Sequence, residues 1–148
     1  LRLGLRLPVW LYRLRLGRLL GRRFVMITHT GRKSGLQRQT VLEVVRYDAA
    51  TGIVVVASGW GEKADWFRNI LKTPAVTVHI GHRHFEAVAT RLTVEAAAVE
   101  LCDYAAHHPA TFRQLTHKMI GAQPGDETVD CSAVADIVPV VSLTPASE

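Results

Sequence analysis

Phe24-Val25-Met26-Ile27-Thr28-His29-Thr30-Gly31-Arg32-Lys33-Ser34-Gly35-Leu36-Gln37-Arg38-Gln39-Thr40-Val41-Leu42-Glu43-Val44-Val45 reads as strand, turn, strand. Phe24 to Thr30 mixes apolar and β-branched residues, and Thr40 to Asp48 resumes an apolar run that alternates in places. Two glycines bracket Arg32, Lys33 and Ser34, with Arg38 three residues beyond the second. A turn carrying three cations, two hydroxyls and glycine-flanked backbone N–H groups can hold an anion such as phosphate. The same residues also suit a solvated hairpin tip, and the turn alone leaves both readings open.

Outward from the hairpin, the chain continues in short strands. Asp48 to Gly52 is a turn. Ile53 to Ala57 is a third strand whose unbroken Val/Ile run implies cover on both faces. Ser58-Gly59-Trp60-Gly61 is a flexible loop. Glu62 to Lys72 reads as a helix with Trp66, Phe67, Ile70 and Leu71 on its apolar side, stopped at Thr73-Pro74. Ala75 to Ile80 and Arg83 to Leu92 form a hairpin around Gly81-His82. Thr93 is an N-cap for a helix carrying Leu101, Tyr104 and Ala105, broken at His108-Pro109. A second helix is expected over Ala110 to Ile120, then a polar loop over 122–132. Asp136 to Leu143 is the last strand, and Pro139 within it favours a sheet edge. Five or six strands, mostly in hairpins, with helices between them, imply an α+β antiparallel barrel with flanking helices rather than a doubly wound sheet.

The 148 residues suit one domain with a core large enough to need no metal or disulfide. Residues 1–38 hold ten of the 18 basic side chains and no acidic one, while the other 110 carry eight basic against 13 acidic. That asymmetry points to a local anionic partner. Residues 1–22 place Leu3, Leu7, Trp10, Leu11 and Leu14 on one helical face and Arg2, Arg6 and Arg13 on another, interrupted by Pro8. This basic amphipathic helix is too short and charged to span a bilayer, and it suits either the domain surface or an anionic membrane face. The expected division is therefore 1–22 helix and 23–148 barrel domain. Cys102 and Cys131 are widely spaced and suggest reduced thiols in a cytoplasmic protein, with one bridge as the alternative. His79, His82 and His84 cluster at a hairpin but lack an acidic neighbour, so no metal is expected there. Nucleic acid is not expected as a partner, because aromatic residues are not interleaved with the N-terminal arginines beyond Trp10 and Tyr12. No nucleophile–base arrangement is legible.

A constellation in chain order is more specific than any of its parts: Thr30-Gly31-Arg32-Lys33-Ser34-Gly35, Arg38-x-Thr40-x-Leu42, Ala57-Ser58-Gly59, Trp66-x-x-Asn69 and Pro74-x-Val76-x-Val78. Over roughly residues 22–92 it resembles the deazaflavin-dependent nitroreductase family of actinobacteria, split β-barrel proteins that mostly bind coenzyme F420, an 8-hydroxy-5-deazaflavin. The resemblance implies hydride transfer from the reduced coenzyme to an electron-poor, lipophilic or aromatic acceptor such as a quinone. It places Arg32, Lys33, Ser34 and Arg38 on the coenzyme's phosphate and acidic tail, with Gly35 and Thr40 also binding the cofactor. Ala57, Ser58 and Gly59 fall beside the ring, and Trp66 and Asn69 on a bracing helix.

The chain also departs from the family pattern. The connection Gly59-Trp60-Gly61-Glu62-Lys63 is short, so Lys63 stands in for a lysine nearer the serine and Trp60 can stack on the ring or wall off the substrate pocket. Tyr104 is the only tyrosine after residue 47, which sets nitro reduction in particular apart. Ser58, Trp60 and Tyr104 are the expected residues at the reacting centre. The alternatives are an FMN-binding reductase of the same barrel class and a non-catalytic cofactor carrier or membrane-surface protein. The basic N-terminal helix resembles that of relatives placed on the inner face of the cell membrane, and Val-rich strands suit a homodimer.

Overall fold

The computed structural model describes residues 23–59, 61–113 and 131–146. The expected N-terminal helix over 1–22, Trp60 and the greater part of the helix expected over 110–120 lie outside them. Six strands form a closed antiparallel barrel: β1 (Phe24–Thr30), β2 (Gln37–Tyr47), β3 (Val54–Ala57), β4 (Ala75–Ile80), β5 (Arg83–Arg91) and β6 (Val140–Pro145), in the order β1-β2-β3-β6-β5-β4. A turn of 3₁₀ helix (Gly61–Lys63) precedes α1 (Asp65–Lys72). Helix α2 (Val94–His107) follows β5, and the short α3 (Cys131–Ala135) leads into β6. The fold is α+β.

Strand alternation fills the barrel. Val25 and Ile27 of β1, Leu42 and Val44 of β2, Val54 and Val56 of β3, Val76, Val78 and Ile80 of β4, and Val141 and Leu143 of β6 all point inward. Apolar surface of this kind supplies most of the driving force for folding, at about 25 cal/mol per Å² removed from water. Helix α1 adds Trp66, Phe67 and Ile70 to the same core. Outside the barrel, Val55 and Val140 pack beneath Ala97, Leu101 and Tyr104 of α2, with Phe112, Val134, Ala135 and Val138. The Val54–Val56 run is thus covered on both faces, as its composition requires.

Several expectations change. Pro139 does not mark an edge, because closure leaves none: β6 pairs with β3 on one side and β5 on the other. Pro139 stands just before β6, and its carbonyl accepts from Ser58 N at 2.9 Å. Asp136 to Val138 is a turn rather than strand, and Cys131 and Ser132, expected in the loop, open a helix that runs to Ala135. Cys102 and Cys131 form a disulfide. Sequence spacing cannot report that α2 and α3 pack side by side and bring the two Cα atoms to 5.1 Å. The bridge removes the compositional argument for a reducing compartment. The helix expected to start at Glu62 begins as a 3₁₀ turn and becomes α-helical only from Asp65. The cap expected at Thr93 is present, its hydroxyl accepting from Ala96 N at 3.2 Å.

Phe67 is completely buried, so Phe67→Ala should cost about 3–5 kcal/mol. Urea unfolding of the two proteins checks this; a loss below about 1 kcal/mol would mean that α1 does not close the barrel.

Candidate functional site

The hairpin tip between β1 and β2 is shaped by its glycines. Gly31 N donates to Leu36 O at 2.8 Å and Gly35 N to Gly31 O at 2.9 Å. Gly35 has φ +71°, a conformation side chains disfavour, and a Cβ on Gly31 would lie 2.7 Å from Ser34 Oγ. The Ser34 hydroxyl is itself part of the turn, accepting from Leu36 N at 3.2 Å.

Arg32 ties this tip to α1. Its backbone N–H and Nη1 both donate to Asn69 Oδ1, at 3.0 and 2.9 Å. Its Nη2 reaches the Asp65 carboxylate at 3.2 Å, and Lys72 Nζ donates to its carbonyl at 2.7 Å. Arg32 is therefore a clasp, with much of its donor capacity already used. Lys33 and Arg38 differ: both side chains are exposed, and neither has a hydrogen bond or ion pair among the described residues. They are the cations left for an anionic ligand.

Below the clasp lie two groups that sequence reasoning gave no role, or only part of one. Asn69 is buried, and its Nδ2 donates to His29 Nδ1 at 3.1 Å. His29, also buried, has Nε2 3.1 Å from Thr40 Oγ1. Burial, reinforced by the Arg38 charge and opposed by Asp65, lowers the His29 pKa to about 4. The imidazole is therefore neutral at neutral pH. His29 belongs to the strand that opens the hairpin. Its inward direction was the missing signal: it continues the inward-facing series Val25, Ile27 on β1, so a polar ring at that place has to find partners.

The Ser58 segment forms a second centre. Ser58 is wholly buried, and its hydroxyl donates to Gly61 O at 2.6 Å while Gly61 N returns to Ser58 O at 3.1 Å. The hydroxyl fixes the loop. Gly59 and Lys63 are exposed, and Ala57 is half-buried. Trp66 is core. Tyr104 is not at the hairpin tip. It donates to Glu43 Oε1 at 3.0 Å, six residues along β2 from Gln37, or about 20 Å away at strand rise. The neighbouring Val44 pairs with Val56, so Tyr104 stands near the exit of β3 toward Ser58. Burial first, then Glu43, push its phenol above the ordinary range, which keeps it protonated. Tyr104 also lines an open depression of about 470 Å³ with Glu43, Arg46, His108 and Thr111.

A closed six-strand barrel with a basic, glycine-built tip defines the split-barrel class, and solved structures share it. An F420-H2 dependent reductase, FDR-A, aligns with TM-score 0.58 at 20% identity, over 83% of this chain and 95% of its own. A protein solved as a domain-swapped dimer gives 0.57 at 20%, over 92% and 98%. The heme storage protein HutZ from Vibrio cholerae gives 0.56 at 12%, over 93% and 90%. At these identities the likeness speaks to fold alone. No curated protein matches the sequence. The family model for F420H(2)-dependent quinone reductase matches residues 5–119. The chain belongs to that family, and it is an F420-dependent oxidoreductase. The FMN and carrier alternatives receive no support from this match.

His29 also makes stability depend on pH. With a folded pKa near 4 against an ordinary 6.5, the unfolded chain takes up the proton first. Stability is therefore complete above about pH 6.5 and falls on acidification toward pH 4, by at most about 1.4 kcal/mol per unit. Urea midpoints across that window should show the fall, and His29→Phe should flatten it. Equal slopes in both proteins would locate the acid sensitivity elsewhere.

Proposed function

We propose that the protein transfers hydride from reduced F420 to a lipophilic, quinone-type acceptor. The observation that carries this reading is the division of labour at the tip: Arg32 is consumed in bracing, which leaves Lys33 and Arg38 exposed and unpaired beside backbone glycines. Such a surface fits an elongated coenzyme with a phosphodiester and carboxylates at one end. Lys33 and Arg38 would hold the anionic end, and Thr40 and the Ser58–Gly61 turn would lie further along β2. When bound, the coenzyme supplies the hydride, and the chain binds, orients and excludes water. Tyr104, its proton committed to Glu43, serves as a wall of the acceptor's depression rather than as an acid.

The resemblance also placed the basic N-terminal segment on a membrane surface. No helix among the described residues is long and apolar enough to cross a membrane, and surface association has no further support. Pairing into a homodimer is supported only by the dimeric fold relative, and light scattering of the purified protein decides it.

Fluorescence titration with F420 tests the main reading. Wild-type protein should bind at micromolar or better affinity. Lys33→Ala with Arg38→Ala should weaken binding about a hundredfold while leaving the melting temperature nearly unchanged, each lost charge-assisted contact contributing about tenfold. Reduced F420 should be oxidised on addition of menadione. No binding by the wild type would refute the reading.

A further inference from the structure

The hydrogen bonds that begin at Arg32 have a direction, and they end on a hydroxyl. Asn69 Oδ1 accepts from two Arg32 donors. An amide oxygen fixed in this way turns its NH₂ to the other side, and NH₂ can only donate. His29 Nδ1, 3.1 Å from Asn69 Nδ2, is therefore the bare nitrogen. A neutral imidazole with a bare Nδ1 carries its proton on Nε2. Nε2 lies 3.1 Å from Thr40 Oγ1, so Thr40 accepts there. The threonine's own proton must go elsewhere, and no acceptor for it occurs among the described residues.

We propose that His29 is a positioning residue that fixes the half-buried Thr40 hydroxyl as a donor to an anionic or carbonyl oxygen of the bound coenzyme. This rests on the F420 reading. A threonine hydroxyl left to itself offers a ligand either its proton or its lone pairs. With His29 Nε2–H occupying a lone pair, the proton is what remains to present. The location fits the role. Thr40 pairs with Ile27 on β1, between the Gln37 end of β2 and the Val44–Val56 pair that leads toward Ser58. A ligand laid from Lys33 and Arg38 toward Ser58 passes it. Burial keeps the His29 ring neutral, with the Arg38 charge in support and Asp65 in opposition. Arg38 acts from β2 and Asp65 from α1, and the Asp65 carboxylate is already paired with Arg32 of the tip.

The test uses the full chain with Thr40→Val, Thr40→Ser, His29→Phe and the His29→Phe/Thr40→Val double variant, titrated with F420 at neutral pH. Thr40→Val keeps the shape and removes the donor, and should weaken binding about tenfold; Thr40→Ser should stay within about twofold of wild type. His29→Phe should weaken binding by a similar factor, and the double variant by no more than Thr40→Val alone. Thr40→Val binding as tightly as wild type, or a double variant that loses the product of the two single factors, would overturn the proposal. Imidazole ¹⁵N NMR of the ligand-free wild type gives a readout independent of the coenzyme. A bare Nδ1 with a protonated Nε2 is expected for His29, and a ring protonated on Nδ1 overturns the proposal. Failure of wild type to bind F420 would instead refute the functional reading, and the NMR result would still judge the relay's direction.

Discussion

One buried amide joins the two halves of the site. Asn69, on α1, receives two hydrogen bonds from Arg32 and gives one to His29, across 37 and 40 residues of chain. Removing any partner would leave a polar group desolvated and unmatched, which costs more than the bond itself gains. The hairpin tip, helix α1 and the barrel's inward-facing histidine are therefore fixed together. The rigidity this gives is what a tip made of glycines lacks by itself, since glycine buys turn geometry with conformational entropy.

The same interaction sorts the cations. Three basic residues crowd one turn, and like charges at that spacing repel unless some are neutralised. Asp65 and the amide oxygen of Asn69 absorb Arg32, while Lys33 and Arg38 remain in water. An arginine suits the clasp because its planar fork satisfies two acceptors at once. The exposed pair keeps its charge for an incoming anion without the penalty of burial. Bracing thus falls on one cation and, in the proposed function, binding falls on its neighbours of the same charge type.

Much of this architecture is legible along the chain. The strands at Phe24–Thr30 and Ala75–Ile80 coincide with the stretches where β-branched residues cluster, and Thr93 begins its helix as its side chain dictates. The misplaced parts share a cause. Pro139 signals an edge only if the sheet is open, and closure is a property of all six strands. The Cys102–Cys131 pair depends on two helices packing side by side. The Ser58 hydroxyl meets Gly61 O only because the loop folds back on itself. Local composition contains none of these distances.

By itself, the sequence determined a basic, glycine-bracketed turn between two strands, a barrel-type alternation of apolar residues, and an ordered set of motifs that carries the family. These follow from short-range rules: side-chain period, turn stereochemistry and the spacing of charges. Only the tertiary structure decided that Arg32 braces while Lys33 and Arg38 stay free, that Tyr104 lies at the far end of the hairpin, and that His29 links Asn69 to Thr40. Those assignments depend on which donor meets which acceptor across the closed barrel, and hydrogen bonds of that kind are set by three-dimensional proximity rather than by order along the chain.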